Sequence, residues 1–132
     1  YIAKKLVKKL IGMGKAILGA RILVMGMTFK ENVADIRNSK VVDIINELKD
    51  FGVEVDVVDP YADPEEVKKM YGFRLIEKPL GNYDAVVVAV AHDAYQGLDE
   101  KYFKSLTCDK AVLVDVKGMY RDKIHELKYW SL

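Results

Sequence analysis

The chain has 132 residues, of which 51% are hydrophobic and 31% charged, and a net charge of +1. That is the balance of one globular domain large enough to bury a real core. A charge so close to zero argues against nucleic acid or an anionic membrane as partner, and no apolar run approaches the roughly 20 residues that span a bilayer.

The charge is unevenly spread. Residues 1–21 carry Lys4, Lys5, Lys8, Lys9, Lys15 and Arg21 and no acid. This stretch has neither an uninterrupted apolar core nor a cleavage-like site, so it is not read as a secretion signal. The lone Cys108 excludes an internal disulfide and fits a reducing cytoplasm.

In residues 2–14, Ala3, Leu6, Val7, Leu10 and Met13 recur on one stripe and the lysines fall opposite, which predicts an amphipathic helix. Residues 21–25 form an apolar strand. Ser39 or Asn38 is placed to cap a helix carrying Val42, Ile45 and Leu48, and Gly52 ends it. Residues 53–58 predict a second strand, closed by Asp59-Pro60. Asp63-Pro64-Glu65-Glu66 opens a short helix, with proline in its first turn and acids facing the positive end of the helix dipole. A short third strand is expected at 73–76, a fourth at 85–90, a helix at 99–106, a fifth strand at 111–116 and a closing helix at 121–130.

Strands that read as unbroken valine, isoleucine and leucine are buried on both faces, which points to a parallel sheet covered by helices. The expected fold is therefore a Rossmann-like, doubly wound α/β domain with a mainly parallel sheet of about five strands, preceded by the amphipathic helix. Ligands of such sheets sit beyond the carboxyl ends of the strands. That rule selects residues 26–30, Asp59, His92 and Lys117-Gly118 for inspection.

The first of these loops is the richest. Gly26 allows a close backbone approach, Phe29 offers an apolar face, and Lys30 a point charge for a phosphate or a hydrogen bond to a sugar hydroxyl. Arg37 offers a planar fork, which Asp35 either holds or leaves free by capping a turn. Neither glycine-rich phosphate fingerprint, G-x-G-x-x-G or G-x-x-x-x-G-K-[ST], is present. Spacing alone leaves a plain strand-to-helix turn with a solvated ion pair as an equal reading.

The string GMTFKENVADIRNSK resembles the signature G-x-x-[FY]-K-x-x-x-x-D-x-R-x-S that opens the C-terminal domain of the UDP-glucose/GDP-mannose dehydrogenase family. The resemblance continues through VVDVVDPYAD, AVVVAVAHDAY and AVLVDVKGMY, and the wording is most like the branch that oxidises UDP-N-acetylhexosamines. Family enzymes oxidise the sugar C6 alcohol to a carboxylate in two NAD-dependent steps. The resemblance implies that residues 1–19 end a central helix that links the domains and helps build a homodimer. Residues 20–132 would form the C-terminal domain that closes over the nucleotide end of the substrate, opposite an N-terminal Rossmann domain holding NAD. It assigns UDP-sugar contacts to Phe29 and Lys30, a nucleotide contact to Lys117 where UDP-glucose enzymes usually carry arginine, and a contact with NAD to Arg37.

The resemblance also implies what the chain lacks. The family's catalytic cysteine belongs to a glycine-rich motif absent here, and Cys108, in LTCDK, reads as structural or incidental. The chain alone is therefore expected to be inactive. His92 either touches the nucleotide or caps a loop, Asp59 either binds a ribose or forms a turn, and His125 is expected on the surface of the last helix. No residue cluster has zinc or calcium spacing. Two other functions fit the alternation: a free-standing nucleotide-binding or regulatory module, or a dimerisation domain whose cleft has decayed. A phospho-receiver needs acids just after the first strand, where Gly26-Met27-Thr28-Phe29 stands.

Overall fold

A computed structural model describes all 132 residues. Five parallel strands make one sheet in the order β2-β1-β3-β4-β5, where β1 is Arg21–Met25, β2 Glu54–Val58, β3 Tyr83–Val88, β4 Thr107–Asp115 and β5 Lys128–Ser131. Helices α1 (Ile2–Gly12), α2 (Lys40–Asp50), α3 (Pro64–Tyr71) and α4 (Glu100–Leu106) connect or precede them.

Alternation along each strand divides the core in two. Ile22, Val24, Val87 and Val114 face α1 and α2, whose buried stripes are Ala3, Leu6, Val7, Leu10 and Val41, Val42, Ile45, Leu48. Leu23, Met25, Val86, Val88 and Leu113 face the other way, onto Phe103 of α4 and the buried rings of Tyr95 and Tyr120. Burying apolar groups on both faces is what forces the Val/Ile/Leu runs. Asp63 and Asp99 cap α3 and α4, accepting from the N–H groups of Glu65 and Tyr102 at 2.9 Å.

Two elements differ from expectation. Residues 73–76 form no strand; one backbone bond, from the Ile76 N–H to the Val57 carbonyl at 3.0 Å, ties them to the outer edge of β2. Residues 121–130 form no helix. Asp122 adopts φ 64°, which interrupts helical backbone. The Glu100 carboxylate then gathers the N–H groups of His125, Glu126 and Leu127 at 2.7 to 3.1 Å, and the chain enters β5 on the open edge of β4. His125 thus lies in a turn. The fifth strand comes from this C-terminal segment, so the sheet keeps five strands without the one expected at 73–76.

Two phenols tie one strand of the sheet to an acid on another. Tyr83 donates to Asp56 at 2.7 Å and Tyr129 to Asp115 at 2.6 Å. Burial first, and the carboxylate second, pushes each phenol up to about 12, from about 10 in an unfolded chain. The folded state therefore holds these protons more tightly. Their contribution to stability is complete below about pH 10 and is lost as pH rises toward 12. Unfolding midpoints in urea are expected to be level up to about pH 10 and to fall above it, in parallel with phenolate ultraviolet absorbance.

Candidate functional site

The loop after β1 is fixed by its neighbours before it offers anything to a ligand. Gly26 has φ 90°, and a β-carbon there would stand 2.7 Å from the Val90 β-carbon, so only glycine allows β1 to leave the sheet so close to the β3 exit. The next two N–H groups, of Met27 and Thr28, donate to Asp59 Oδ2 at 2.7 and 3.2 Å. The same oxygen meets His92 Nε2 at 3.0 Å, and both side chains are fully buried. His92 Nδ1 accepts the Asn32 N–H at 2.9 Å, which assigns the imidazole proton to Nε2 and makes it a donor to Asp59. Asn32, at φ 61°, returns its side-chain oxygen to the Asp93 N–H at 2.8 Å. The Thr28 hydroxyl donates to the Lys30 carbonyl at 2.9 Å.

Asp59 and His92 therefore act from beneath the loop. Asp59 also accepts the Tyr61 N–H at 2.8 Å, forming its own turn. Of the two roles open to each residue in the sequence, the structure places both in loop anchoring.

Ser39 stands at the N-cap of α2, but its hydroxyl donates to the Met27 carbonyl at 2.6 Å instead of capping the helix. The first-turn N–H groups of α2 are left without a side-chain partner at the edge of the loop.

Phe29, Lys30 and Lys117 converge on one cavity of about 380 Å³, beyond the carboxyl ends of β1, β3 and β4 and on the α1/α2 face. Val41 and Ile44 of α2, with Val90, give it an apolar side. Lys40, the first residue of α2, adds a third ammonium, and Ile2 brings in α1. None of the three lysines forms an ion pair. Free cations beside an apolar wall can hold a phosphate and a flat base together. Lys40 escapes the sequence reading because a charged residue opening an amphipathic helix ordinarily belongs to its solvated face; its position directly after the capping serine was the available signal.

Arg37 lies outside this cavity. Its Nε and one terminal nitrogen donate to Asp35 at 3.1 and 3.2 Å, and its backbone N–H adds a third bond at 2.9 Å. The Arg37 side-chain hydrogen bond, then the backbone one, holds the Asp35 carboxyl below its usual value. Cys108 stands at the start of β4, at the opposite edge of the sheet, 3.3 Å from Lys15 Nζ.

A doubly wound parallel sheet with a cationic, half-apolar cavity at its carboxyl edge is the architecture of an α/β nucleotide-binding domain. The chain belongs to the UDP-glucose/GDP-mannose dehydrogenase family: the UDP binding domain of that family matches residues 23–122. It is 37% identical over 118 residues to UDP-N-acetyl-D-glucosamine 6-dehydrogenase of Salmonella typhi, covering 89% of this chain and 28% of that protein. It is 42% identical over 120 residues to Protein CapL of Staphylococcus aureus, covering 90% and 28%. Among solved structures, the UDP-glucose dehydrogenase of Pyrobaculum islandicum superposes with a TM-score of 0.72 at 29% identity, covering 98% of this chain and 29% of that one. The NDP-N-acetyl-D-galactosaminuronic acid dehydrogenase of Methanosarcina mazei Go1 shares the fold, with a TM-score of 0.80 at 23% identity over 98% of this chain and 28% of that one. The chain spans under a third of the length of these relatives. No helix is long and apolar enough to cross a membrane.

Proposed function

We propose that this chain is the UDP-sugar-binding part of an NAD-dependent nucleotide-sugar 6-dehydrogenase, which oxidises the sugar C6 alcohol to a carboxylate in the cytoplasm for polysaccharide synthesis. The observation that carries this is the meeting of Phe29, Lys30 and Lys117, from loops 88 residues apart at their extremes (117 − 29), around one cavity. Lys30 and Lys117 neutralise the diphosphate, and Phe29, which is 57% exposed, covers an apolar face of the ligand. A UDP-N-acetylhexosamine is the favoured substrate, in keeping with the names of several relatives.

Residues 1–19, which carry α1, are the end of a linking segment that contributes to a homodimer, and residues 20–132 the binding domain. The partner is an N-terminal Rossmann domain, which holds NAD. Held by that domain, NAD would supply the acceptor for the substrate's hydride. Arg37 is the residue of this chain turned toward NAD; it fits that role because Asp35 occupies its Nε and one terminal nitrogen and leaves the other terminal nitrogen free to donate. This chain supplies binding groups and not the nucleophile, since a covalent aldehyde intermediate needs an activated cysteine near the substrate and Cys108 lies at the far edge of the sheet.

Calorimetric titration with UDP tests the assignment. The unaltered chain is expected to bind, and Lys30→Ala to bind at least about tenfold more weakly, as loss of a charge-assisted hydrogen bond implies. Equal binding by the variant would remove Lys30 from the site.

A further inference from the structure

Two lysines of the nucleotide cavity follow strands, and the third, Lys40, opens a helix. Lys40 stands one helical turn before Ile44, so the two share a face of α2. Ile44 and the adjoining Val41 form the apolar wall on which a flat base can lie, and all three residues line the cavity. Side chains on a helix lean toward its N-terminus. The Lys40 stem therefore prolongs this wall beyond Ile44, toward the loop that bears Lys30, and its ammonium forms the wall's polar end.

The backbone beneath Lys40 is held in place. Ser39, which is 7% exposed, donates its hydroxyl to the Met27 carbonyl at 2.6 Å, and Asn38 turns the chain into α2 at φ 56°. These residues tie the start of α2 to the loop that carries Phe29 and Lys30, which sets the spacing between Lys30 and Lys40. The Lys40 ammonium is uncommitted. It forms no ion pair, and Glu31, the one acid lining the cavity, pairs with no lysine either. A free cation at the end of an apolar wall suits an anion attached to a base through a short spacer, which is the layout of a nucleotide.

We propose that Lys40 is a third phosphate-binding residue: with the base against Val41 and Ile44, its ammonium holds the phosphate next to the ribose, and Lys30 and Lys117 reach the outer phosphate from the strand-end loops. This rests on the reading of the cavity as the nucleotide-sugar site and adds to it a division of labour among the three lysines. The inner phosphate is held by a helix and the outer one by loops, so a nucleoside monophosphate already engages Lys40.

Calorimetric titration of UMP and UDP into the 132-residue chain and into Lys40→Gln tests this. Glutamine removes the charge and is as compatible with a helix as lysine, and the position is exposed, so the variant is expected to fold. UMP is expected to bind Lys40→Gln at least about fivefold more weakly than the unaltered chain, and UDP to lose about the same factor. Lys40→Arg is expected to recover both. Lys8→Gln removes a charge from the exposed face of α1 and is expected to change neither. UMP that fails to bind where UDP binds, undiminished UMP binding by Lys40→Gln, a loss confined to UDP, or an equal loss in Lys8→Gln would each overturn the role given to Lys40 and leave the cavity a nucleotide site. Binding of neither nucleotide by the unaltered chain would overturn the reading of the cavity and this proposal with it.

Discussion

Asp59→Ala is expected to destabilise the chain by about 3–5 kcal/mol, as several donors each lose a charge-assisted hydrogen bond worth about 1.5–3 kcal/mol. The carboxylate serves four donors at once: the N–H groups of Met27, Thr28 and Tyr61, and Nε2 of His92. Alanine leaves all four without that acceptor, and all but the exposed Tyr61 N–H lie beside the Asp59 and His92 side chains, which have no exposed area. A domain of this size has about 5–15 kcal/mol to lose, so the thermal midpoint should drop by about 10–20 °C. Asp59→Asn is the informative companion. Its amide oxygen can replace Oδ2, but its NH₂ then faces the Tyr61 N–H, donor against donor. A loss of about 1–2 kcal/mol is expected. If alanine and asparagine behave alike in calorimetry, the four-donor arrangement does not carry the stability assigned to it.

Asp115→Ala should have the second largest effect, about 3 kcal/mol, with a local signature. Asp115 is fully buried at the end of β4 and accepts from Met119 N–H at 2.9 Å, Tyr120 N–H at 2.7 Å and the Tyr129 phenol at 2.6 Å. The first two bonds shape the turn that presents Lys117; the third pins β5 to β4. Trp130, the only tryptophan, is 9% exposed in β5 and lies under Lys5 Nζ, 4.6 Å from its ring centre. Loosening β5 should wet this indole. Trp130 emission is therefore expected to shift to longer wavelength at a lower urea concentration than the helical circular dichroism is lost. Coincident transitions would show that Asp115 stabilises the whole domain and not the edge strand.

Asp59 and Asp115 play the same part at the carboxyl ends of β2 and β4. Each terminates a strand, and each spends its carboxylate on the loop that bears a lysine of the cavity. The placement of Asp59 at the carboxyl edge was legible from the order of apolar runs, whereas Asp115 fell inside the strand expected at 111–116 and is the last residue of β4. Their partners were not, because Asp59 meets His92 across 33 residues and Asp115 meets Tyr129 across 14. A sequence read one residue at a time leaves His92 poised between ligand contact and loop support; only the Asn32 N–H on Nδ1 decides it.

The fold was legible where one face or both faces of an element are buried. Residues 22–25 and 85–88 are unbroken apolar runs, short enough and rich enough in β-branched residues to read as interior strands. The N-terminal helix and α2 announced themselves by their stripes. The misreadings fall where burial is partial. In 121–130, Ile124 and Leu127 stand three apart, as in a helix, yet they are half-buried residues of a carboxylate-bound turn. What makes 128–131 a strand is the open edge of β4, a tertiary fact with no local trace. At 73–76 the apolar residues pack without a ladder because Leu75 is buried beside α3 while the backbone reaches β2 only through Ile76. Phe29, Lys30 and Lys117 were legible as a group because all follow strands, whereas Lys40 opens a helix and gives no such cue.

The all-parallel order has a kinetic consequence. There is no hairpin anywhere in the sheet, so no pair of strands can form from adjacent sequence. The central pair joins Ile22 to Ala85 with β2 outside it, and closing that loop must precede most of the reward. Folding should thus be slow for the chain's length, with α2 forming early and the β1–β3 contact setting the barrier. The two edges then add as β2 and β5 dock, which leaves unpaired strand rims exposed during folding and makes the refolding yield sensitive to protein concentration.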